Sequence, residues 1–344
     1  VASAAPETQT PNETETAQEP LDGGTRYWTN GELRTWKRCP RKWWLTSYRR
    51  VGPAREAAVG AAALGTRVHE ALAAWYVVDP AARLDPVGVV RAGVERDRAR
   101  LDEEGVPDAY LKKFEKEARL AQVMVEGYLE WLEETGADAG LTVVAPETRM
   151  TAPLPGRPGH RLLAKLDLRL LREEDGARLF LDHKTKSDFT RQAAMVQQDE
   201  QMYHYHLILL LAALEEVEDP ADAVHCDGAI YNMLRKVART ARATPPFYKR
   251  IEIRHSLEEL RRYLRHVFAA VAAIERASAA LDAGADHHDV VWPNPTQDCT
   301  WDCEFHAVCP MFDDGSRVEE FVTAHFVEVN PLRRYEPKEE GDTS

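Results

Sequence analysis

The spacing of apolar and polar positions divides the chain into a helical first part and a second part where strands and helices alternate. Thr29 followed by Glu32 has the spacing of a capping box and predicts a short helix ending at Cys39-Pro40. Apolar residues recur at helical period over Ala58–Val78. Asp85-Pro86 opens a further helix, and Pro107-Asp108 another that runs to about Glu134. The period then shortens. Leu141–Met150, Leu162–Leu171 and Arg178–Lys184 are short β-rich runs, and the segments LPGRPG and REEDGA between them read as hairpin connections. A long helix is predicted over Arg191–Glu216, strands near His225–Met233 and Pro246–Arg254, and a last long helix over Ser256–Asp282. No internal repeat is visible. This order predicts an α/β (α+β) fold, with a mixed central sheet flanked by helices.

The chain's 344 residues, 44% apolar and 29% charged, describe an ordinary soluble protein. We expect one domain over 27–312, with a helical block at about 58–135, a core at about 141–254, and a helix and cysteine cluster over 256–312. The polar, Glu- and Thr-rich tail 1–26 is expected to be disordered, and 313–344 to form a C-terminal extension. No run approaches the roughly 18 apolar residues of a membrane helix, so no membrane partner is expected. The first residues hold neither a basic start nor an apolar stretch, so the expected compartment is the cytoplasm.

The net charge of −13 argues against a nucleic-acid partner until its distribution is read. Residues 1–24 carry five acids and no Lys or Arg, and 335–344 carry four acids and one Lys, so the tails account for −8. In the body, Arg34–Arg50 holds seven basic residues and no acid, interleaved with Trp36, Trp43, Trp44 and Tyr48. Arg235–Arg265 holds ten Lys or Arg against three Glu. Basic groups neutralise phosphates and aromatic faces stack on bases, a mixture suited to single strands. Arg34, Lys37, Arg38, Trp43, Arg235 and Lys236 are therefore candidate DNA contacts. The plainer alternative is the solvated basic face of an amphipathic helix.

Five cysteines add a second kind of chemistry. Cys39 stands near the start, while Cys299, Cys303 and Cys309 cluster in CTWDCEFHAVCP near the end. In a reducing compartment such thiols point to metal or redox chemistry rather than disulfides. Four thiolates split one against three, with Pro310 after the last, are more typical of a [4Fe–4S] cluster than of zinc, which favours two short pairs. Either metal would tie the ends of the folded unit together. Cys226, in an apolar strand, reads as a buried free thiol.

Between those ends lie the residues that can do chemistry. In FLDHKT, Asp182 and Lys184 share one face of a strand, and an acid and a lysine on an apolar strand are costly to bury. Asp167, in LLAKLDLRL, can lie beside Asp182 if the two strands form a hairpin. Paired carboxylates of this kind suit Mg2+ or Mn2+. His69 and Glu70 sit together on the helix Ala58–Val78, and Gln201 and Tyr205 lie four apart on one face of the long helix, able to bond a phosphate or orient the lysine. An edge-strand ion pair and the polar rims of amphipathic helices are the plainer readings of these residues taken singly.

In order, Gly65…His69-Glu70, Asp167, Asp182-His183-Lys184-Thr185 and Gln201…Tyr205 resemble the RecB-like branch of the PD-(D/E)XK nuclease superfamily. The flanking Cys39-Pro40 and Cys299/Cys303/Cys309-Pro310, with the opening TNGELRTWKRCPRKWWL, are similar to its iron–sulfur members, the AddB nuclease domain and the CRISPR-associated Cas-four exonucleases. The chain departs from them in Ala164-Lys165-Leu166-Asp167, where Gly-Arg-Ile-Asp is frequent, and in the three residues between Cys299 and Cys303, where two are commoner. With the added helices over Asp85–Glu134, a phage-encoded or recombination-associated relative fits as well as a CRISPR one. The resemblance implies a metal-dependent DNA exonuclease acting on single strands or ends. His69, Asp167, Asp182 and the His183 carbonyl would hold Mg2+ or Mn2+, Lys184 would stabilise charge on the phosphate, and Gln201 and Tyr205 would steady Lys184 or the DNA. Glu147 would stand behind them. No G-x4-GK[ST] loop is present, so a helicase or recombinase motor would have to come from a partner. The alternative is a non-catalytic DNA-binding or scaffold subunit.

Overall fold

A computed structural model describes residues 21–54 and 57–336. The chain enters with β1 (Arg26–Thr29), α1 (Asn30–Arg38), α2 (Pro40–Trp43) and β2 (Val51–Pro53). A helical block follows, α3 (Ala61–Trp75), α4 (Pro86–Glu103) and α5 (Asp108–Thr135). The strands β3 (Leu141–Pro153), β4 (His160–Arg172) and β5 (Arg178–Lys186) lead to α6 (Phe189–Met195) and α7 (Glu200–Glu215), then β6 (Gly228–Arg235) and β7 (Tyr248–Ile253). The chain closes with α8 (Leu257–Asp282), α9 (His287–Val290), α10 (Cys299–Asp302), α11 (Val318–His325) and β8 (Phe326–Glu328). Among the described residues no helix is long and apolar enough to cross a membrane. Residues 1–20 of the expected acidic tail and 337–344 of the C-terminal extension lie outside the described residues.

The sheet is mixed, as expected. β3, β4 and β5 run antiparallel, β5 and β6 parallel, and β6 and β7 antiparallel. Helices cover both faces. Phe180, Tyr231 and Met233 pack with α7 and α8 on one side, and Leu179, Leu181 and Leu234 with α3 and α5 on the other. Alternation along β5 thus sends Asp182 and Lys184 toward the α7 side and His183 toward α3 and α5.

Several local expectations need correction. The single helix 191–216 is broken: α6 ends at Met195, a short 3-10 turn follows, and Asp199 caps α7 by accepting from the Gln201 N–H at 2.9 Å. An Asp at this position satisfies an otherwise orphaned helix donor, which starts a new helix in place of continuing the old one. The capping box at Thr29 is half formed. Thr29 Oγ1 accepts from the Glu32 N–H, but the Glu32 carboxylate turns to Arg26 and to the Trp43 indole N–H. The capping box that forms fully is at Ser256 and Glu259, at the start of α8.

The basic, aromatic run after Arg34 builds a clasp. Trp43 and Trp44 are buried in the core, so Trp43 has no face left to stack on a base, contrary to expectation. Much of the positive charge is directed at acids near the other end of the chain. Arg41, buried to 2% exposure, grips Asp313 through two bonds of 2.6 and 2.8 Å. Lys42 reaches Glu304 at 2.7 Å, Arg38 pairs with Asp302, and Arg49 with Glu319 at 2.6 and 2.9 Å. Lys37 pairs with Glu200 of α7 at 2.5 Å. β2 and β8 add an antiparallel ladder between the same two regions. Arg34 stays exposed, while Arg235 donates to the Thr244 carbonyl at 2.8 Å and Lys236 is half-buried beside β5.

Removing one partner of a buried ion pair costs more than replacing the buried charge by an apolar group of like size. Asp313 is exposed while Arg41 is buried, so Asp313→Ala strands a buried donor and is expected to lower stability by about 1–3 kcal/mol, and Arg41→Met by clearly less. Urea unfolding of both variants measures this. Equal losses would show that burial of the Arg41 charge is not what the pair compensates.

Candidate active site

The site forms where β4 changes neighbours. On one edge β4 pairs with β3 along its length; on the other it pairs with β1 through Leu163 and with β5 from Leu168 onward. The stretch Ala164–Asp167 between them has no strand partner on that edge. The strand also turns over here. Leu162, Ala164 and Leu166 join the core under α7, whereas Leu168 and Leu170 join the core under α3 and α5, although a regular strand keeps residues two apart on one face. Glu147 of β3, which stands between the partners of Leu166 and Leu168 and so opposite Asp167, has φ 44°. That left-handed conformation is strained for a residue with a side chain. The Glu147 carboxylate pairs with Lys165 at 2.6 Å.

Asp167 fills the gap. Its Oδ2 accepts the His183 backbone N–H at 2.7 Å, a side chain doing the work of the missing ladder bond. Its Oδ1 lies 3.3 Å from His69 Nδ1 on α3, which packs against β5 at Gly65, where a Cβ would make an ordinary 3.6 Å contact with Thr185 Oγ1. Asp182 continues the β4–β5 register opposite Asp167. Its Oδ2 is 2.5 Å from Lys184 Nζ. Gln201, in the first turn of α7, clamps this pair: Oε1 accepts from Lys184 Nζ at 3.0 Å, while Nε2 donates to Asp182 Oδ1 at 3.3 Å and to the Tyr205 hydroxyl at 2.6 Å. The structure thus brings His69, Asp167, Asp182, Lys184, Gln201 and Tyr205 together.

The His183 side chain faces away and anchors the strand from behind. Its Nδ1 accepts from Asn232 Nδ2 at 2.7 Å, and Asn232 also donates to the Tyr128 hydroxyl at 2.9 Å. Arg250 ties Tyr128, Tyr76 and Asp138 into the same buried network. Burial pushes the His183 imidazole down to about 3, so it is neutral. Its N–H points at β4, and the carbonyl of a strand residue points to the same side as its N–H. The backbone oxygen of His183 is thereby aimed at the gap.

The two acids are driven apart electrostatically. Burial pushes the Asp182 carboxyl up, Lys184 opposes the rise, and Asp167 adds to it. Burial disfavours ionised Asp167 as well, but the charge and hydrogen bond of His69 outweigh it and hold that carboxyl below the usual range. Burial works against the cations too, yet Asp167 raises His69 and Asp182 raises Lys184. The Asp167 and Asp182 carboxylates and a backbone carbonyl are hard donors that fit Mg2+ or Mn2+, with the His69 imidazole as a borderline addition. His69, Asp167 and Asp182 do not all lie within 4.8 Å of one another, because Lys184 and Gln201 draw Asp182 aside. A cation would compete with Lys184 for that carboxylate.

The cysteines meet across the clasp. Cys39 Sγ accepts the N–H groups of Lys42 and Asn294 at 3.4 and 3.5 Å, and Cys299 Sγ that of Thr296 at 3.4 Å. Arg38 lies near Cys299, Lys42 near Cys303, and Arg41 near Cys309. The described cysteines are free thiols. Cys226 is largely buried, donates to the Gly228 carbonyl at 3.2 Å, and is pushed up to about 11 by burial. N–H donors and cations around four sulfurs compensate thiolate charge, so these residues fit a thiolate-bound metal centre.

A family model of the PD-(D/E)XK nuclease superfamily matches residues 27–310, and the chain belongs to that superfamily. This makes it a nuclease by family, a hydrolase acting on nucleic-acid esters. A crystal structure of a "Putative exonuclease" from Eubacterium rectale is similar over 82% of this chain and 88% of that one, at 12% identity and a TM-score of 0.40. No curated protein matches.

Sequence reasoning missed the network of Tyr76, Tyr128, Asn232, Arg250 and Asp138, whose members are scattered over α5, β6 and β7, the cap of α3 and the turn after α5. It also missed β1, whose four residues pair with β4 and set the edge of the gap.

Asp167 has two separable tasks, accepting the His183 N–H and carrying charge. Asp167→Asn keeps an acceptor and is expected to leave stability within about 1 kcal/mol, while Asp167→Leu strands a buried N–H and costs about 1–3 kcal/mol. Urea titration of the two variants checks this. An equally stable Leu variant would remove the structural task.

Proposed function

We propose that this protein is a metal-dependent DNA exonuclease that hydrolyses phosphodiester bonds at single strands or ends. The observation that carries the reading is the Gln201 clamp on Asp182 and Lys184 beside Asp167, in a nuclease superfamily fold. His69, Asp167, Asp182 and the His183 carbonyl would hold Mg2+ or Mn2+. When bound, the cation supplies Lewis-acid polarisation of the scissile phosphate and eases deprotonation of an attacking water. Lys184, released from Asp182, offsets charge developing on the phosphate. Gln201 keeps the ammonium aimed and passes its second bond to Tyr205, whose hydroxyl burial holds in the neutral form. The N-terminus of α7 faces the same place and favours an anion there. Arg34 and Lys236 remain candidate contacts for the strand beyond the site. Recombination, repair and CRISPR adaptation are all settings that produce such ends, with any helicase motor supplied by a partner.

Cys39, Cys299, Cys303 and Cys309 would hold a [4Fe–4S] cluster. The split of one cysteine against three, with Pro310 after the last, supports a cluster over a single tetrahedral zinc, which favours two short pairs.

End-labelled single-stranded DNA incubated with Mn2+ or Mg2+ tests the activity. Wild type should shorten it progressively, Lys184→Ala about a hundredfold or more slowly, and Asp182→Ala not at all. Equal degradation by all three, or none by wild type, would leave the scaffold reading.

Protein purified without oxygen should be brown with broad visible absorption, and Cys39→Ala should be colourless and less stable. A colourless wild type holding stoichiometric zinc would overturn the cluster assignment, and a fully stable, active Cys39→Ala would remove its structural task.

A further inference from the structure

The segment after α11 returns to the site. β8 pairs with β2, the Val329 N–H donates to the Arg50 carbonyl at 2.8 Å, and Asn330 Oδ1 accepts the Leu332 N–H at 2.9 Å to turn the chain. Tyr335, 7% exposed, wedges between Tyr27 of β1 and Leu163 of β4. Its carbonyl accepts from Arg149 Nη1 of β3 at 3.1 Å. Leu163 is the last β4 residue held by β1, so Tyr335 is fixed at the mouth of the gap in which Asp167 stands. It is also close enough to act on the Tyr205 hydroxyl.

Arg334 precedes this wedge. Its guanidinium lies 5.0 Å from the Tyr335 ring, a cation–π contact that limits where the side chain can go. It is within electrostatic reach of Asp167, Asp182 and Tyr205. Yet Arg334 makes no ion pair with any described carboxylate, and the residue is exposed. Most of the other arginines around the clasp and sheet edges grip an acid of the chain. A cation held at the rim of a carboxylate site by an aromatic ring, and paired with no described carboxylate, is arranged for an external anion. Arginine suits that task, because its planar fork matches phosphate oxygens.

We propose that the C-terminal turn Arg333–Tyr335 is part of the substrate site, with Arg334 binding a phosphate of the nucleic-acid strand and Tyr335 positioning it. This rests on the nuclease reading, and extends the site to a segment that sequence patterning assigned to a mere extension. The contact is to backbone phosphate, so it is indifferent to base sequence.

The test is binding rather than turnover. Anisotropy of a short fluorescein-labelled oligothymidylate is measured in EDTA over a range of salt concentrations, for wild type, Arg334→Gln, Arg334→Lys and Tyr335→Ala. Loss of one phosphate contact on a single strand lowers the slope of log K against log salt by ~0.7. Arg334→Gln should show that loss, and Arg334→Lys should keep the wild-type slope because its charge remains. Tyr335→Ala should lose slope although Arg334 is intact, the signature of a positioning residue. An unchanged slope in Arg334→Gln overturns the proposal while leaving a cleaving wild type a nuclease. A wild type that neither binds nor cleaves removes both readings.

Discussion

The arrangement turns on one substitution of a side chain for a strand. β4 is longer than either neighbour on its inner edge, so four residues lie between the end of its pairing with β1 and the start of its pairing with β5. Buried backbone donors left unpaired are costly. Asp167 answers the cost at His183 by accepting its N–H, and in doing so brings a carboxylate into the sheet itself. The strand changes face at the same point, with Glu147 in a left-handed conformation alongside. The neighbouring strand then supplies Asp182 and Lys184 by simple alternation. A gap in pairing, a residue that bridges it, and the donor set for a cation are thus one feature seen three ways.

The surrounding elements fix this feature from both sides. From below, Asn232, Tyr128 and Arg250 hold the His183 ring and with it the peptide whose N–H and carbonyl face the gap. From above, α7 begins again at Asp199, which places Gln201 in a first helical turn where it can reach lysine, acid and phenol together. At the periphery the clasp joins α1 and α2 to the cysteine segment, through the buried Arg41 paired with an exposed Asp313 and through several more exposed pairs. Exposed pairs contribute little each. A metal centre at the four sulfurs would give the clasp most of its strength, and would hold β1, and so the edge of the gap, in place.

Much of this was legible beforehand, because it follows from local rules. Asp85-Pro86 and Pro107-Asp108 mark helix starts by their chemistry, and the period-two runs mark β3, β4 and β5. The juxtaposition of Asp167 and Asp182 follows from hairpin register alone. What escaped was what depends on distant partners. β1 is four residues long and gains its identity only from β4. The break before α7 needs a cap that competes with an otherwise continuous apolar period. Trp43 shares its local pattern with base-stacking aromatics, and its burial follows from the core that α7, α8 and the cysteine segment build around it. Lys37, Arg38 and Arg41 likewise look like a phosphate-binding run until the acids some 160 to 270 residues away are folded against them. Arg334 carries no sequence signal at all, since only the return of the chain across β1 brings it within reach of Asp167 and Asp182.

The proposed activity depends on a divalent cation held between Asp167 and Asp182, and electron paramagnetic resonance of Mn2+ reports such binding directly. Titrating Mn2+ into wild type should suppress the sharp six-line signal of the free ion up to one or two equivalents. Asp167→Asn, with its backbone bond retained, should leave that signal at full intensity from the first addition. Mn2+ bound as tightly by Asp167→Asn as by wild type would contradict the central claim.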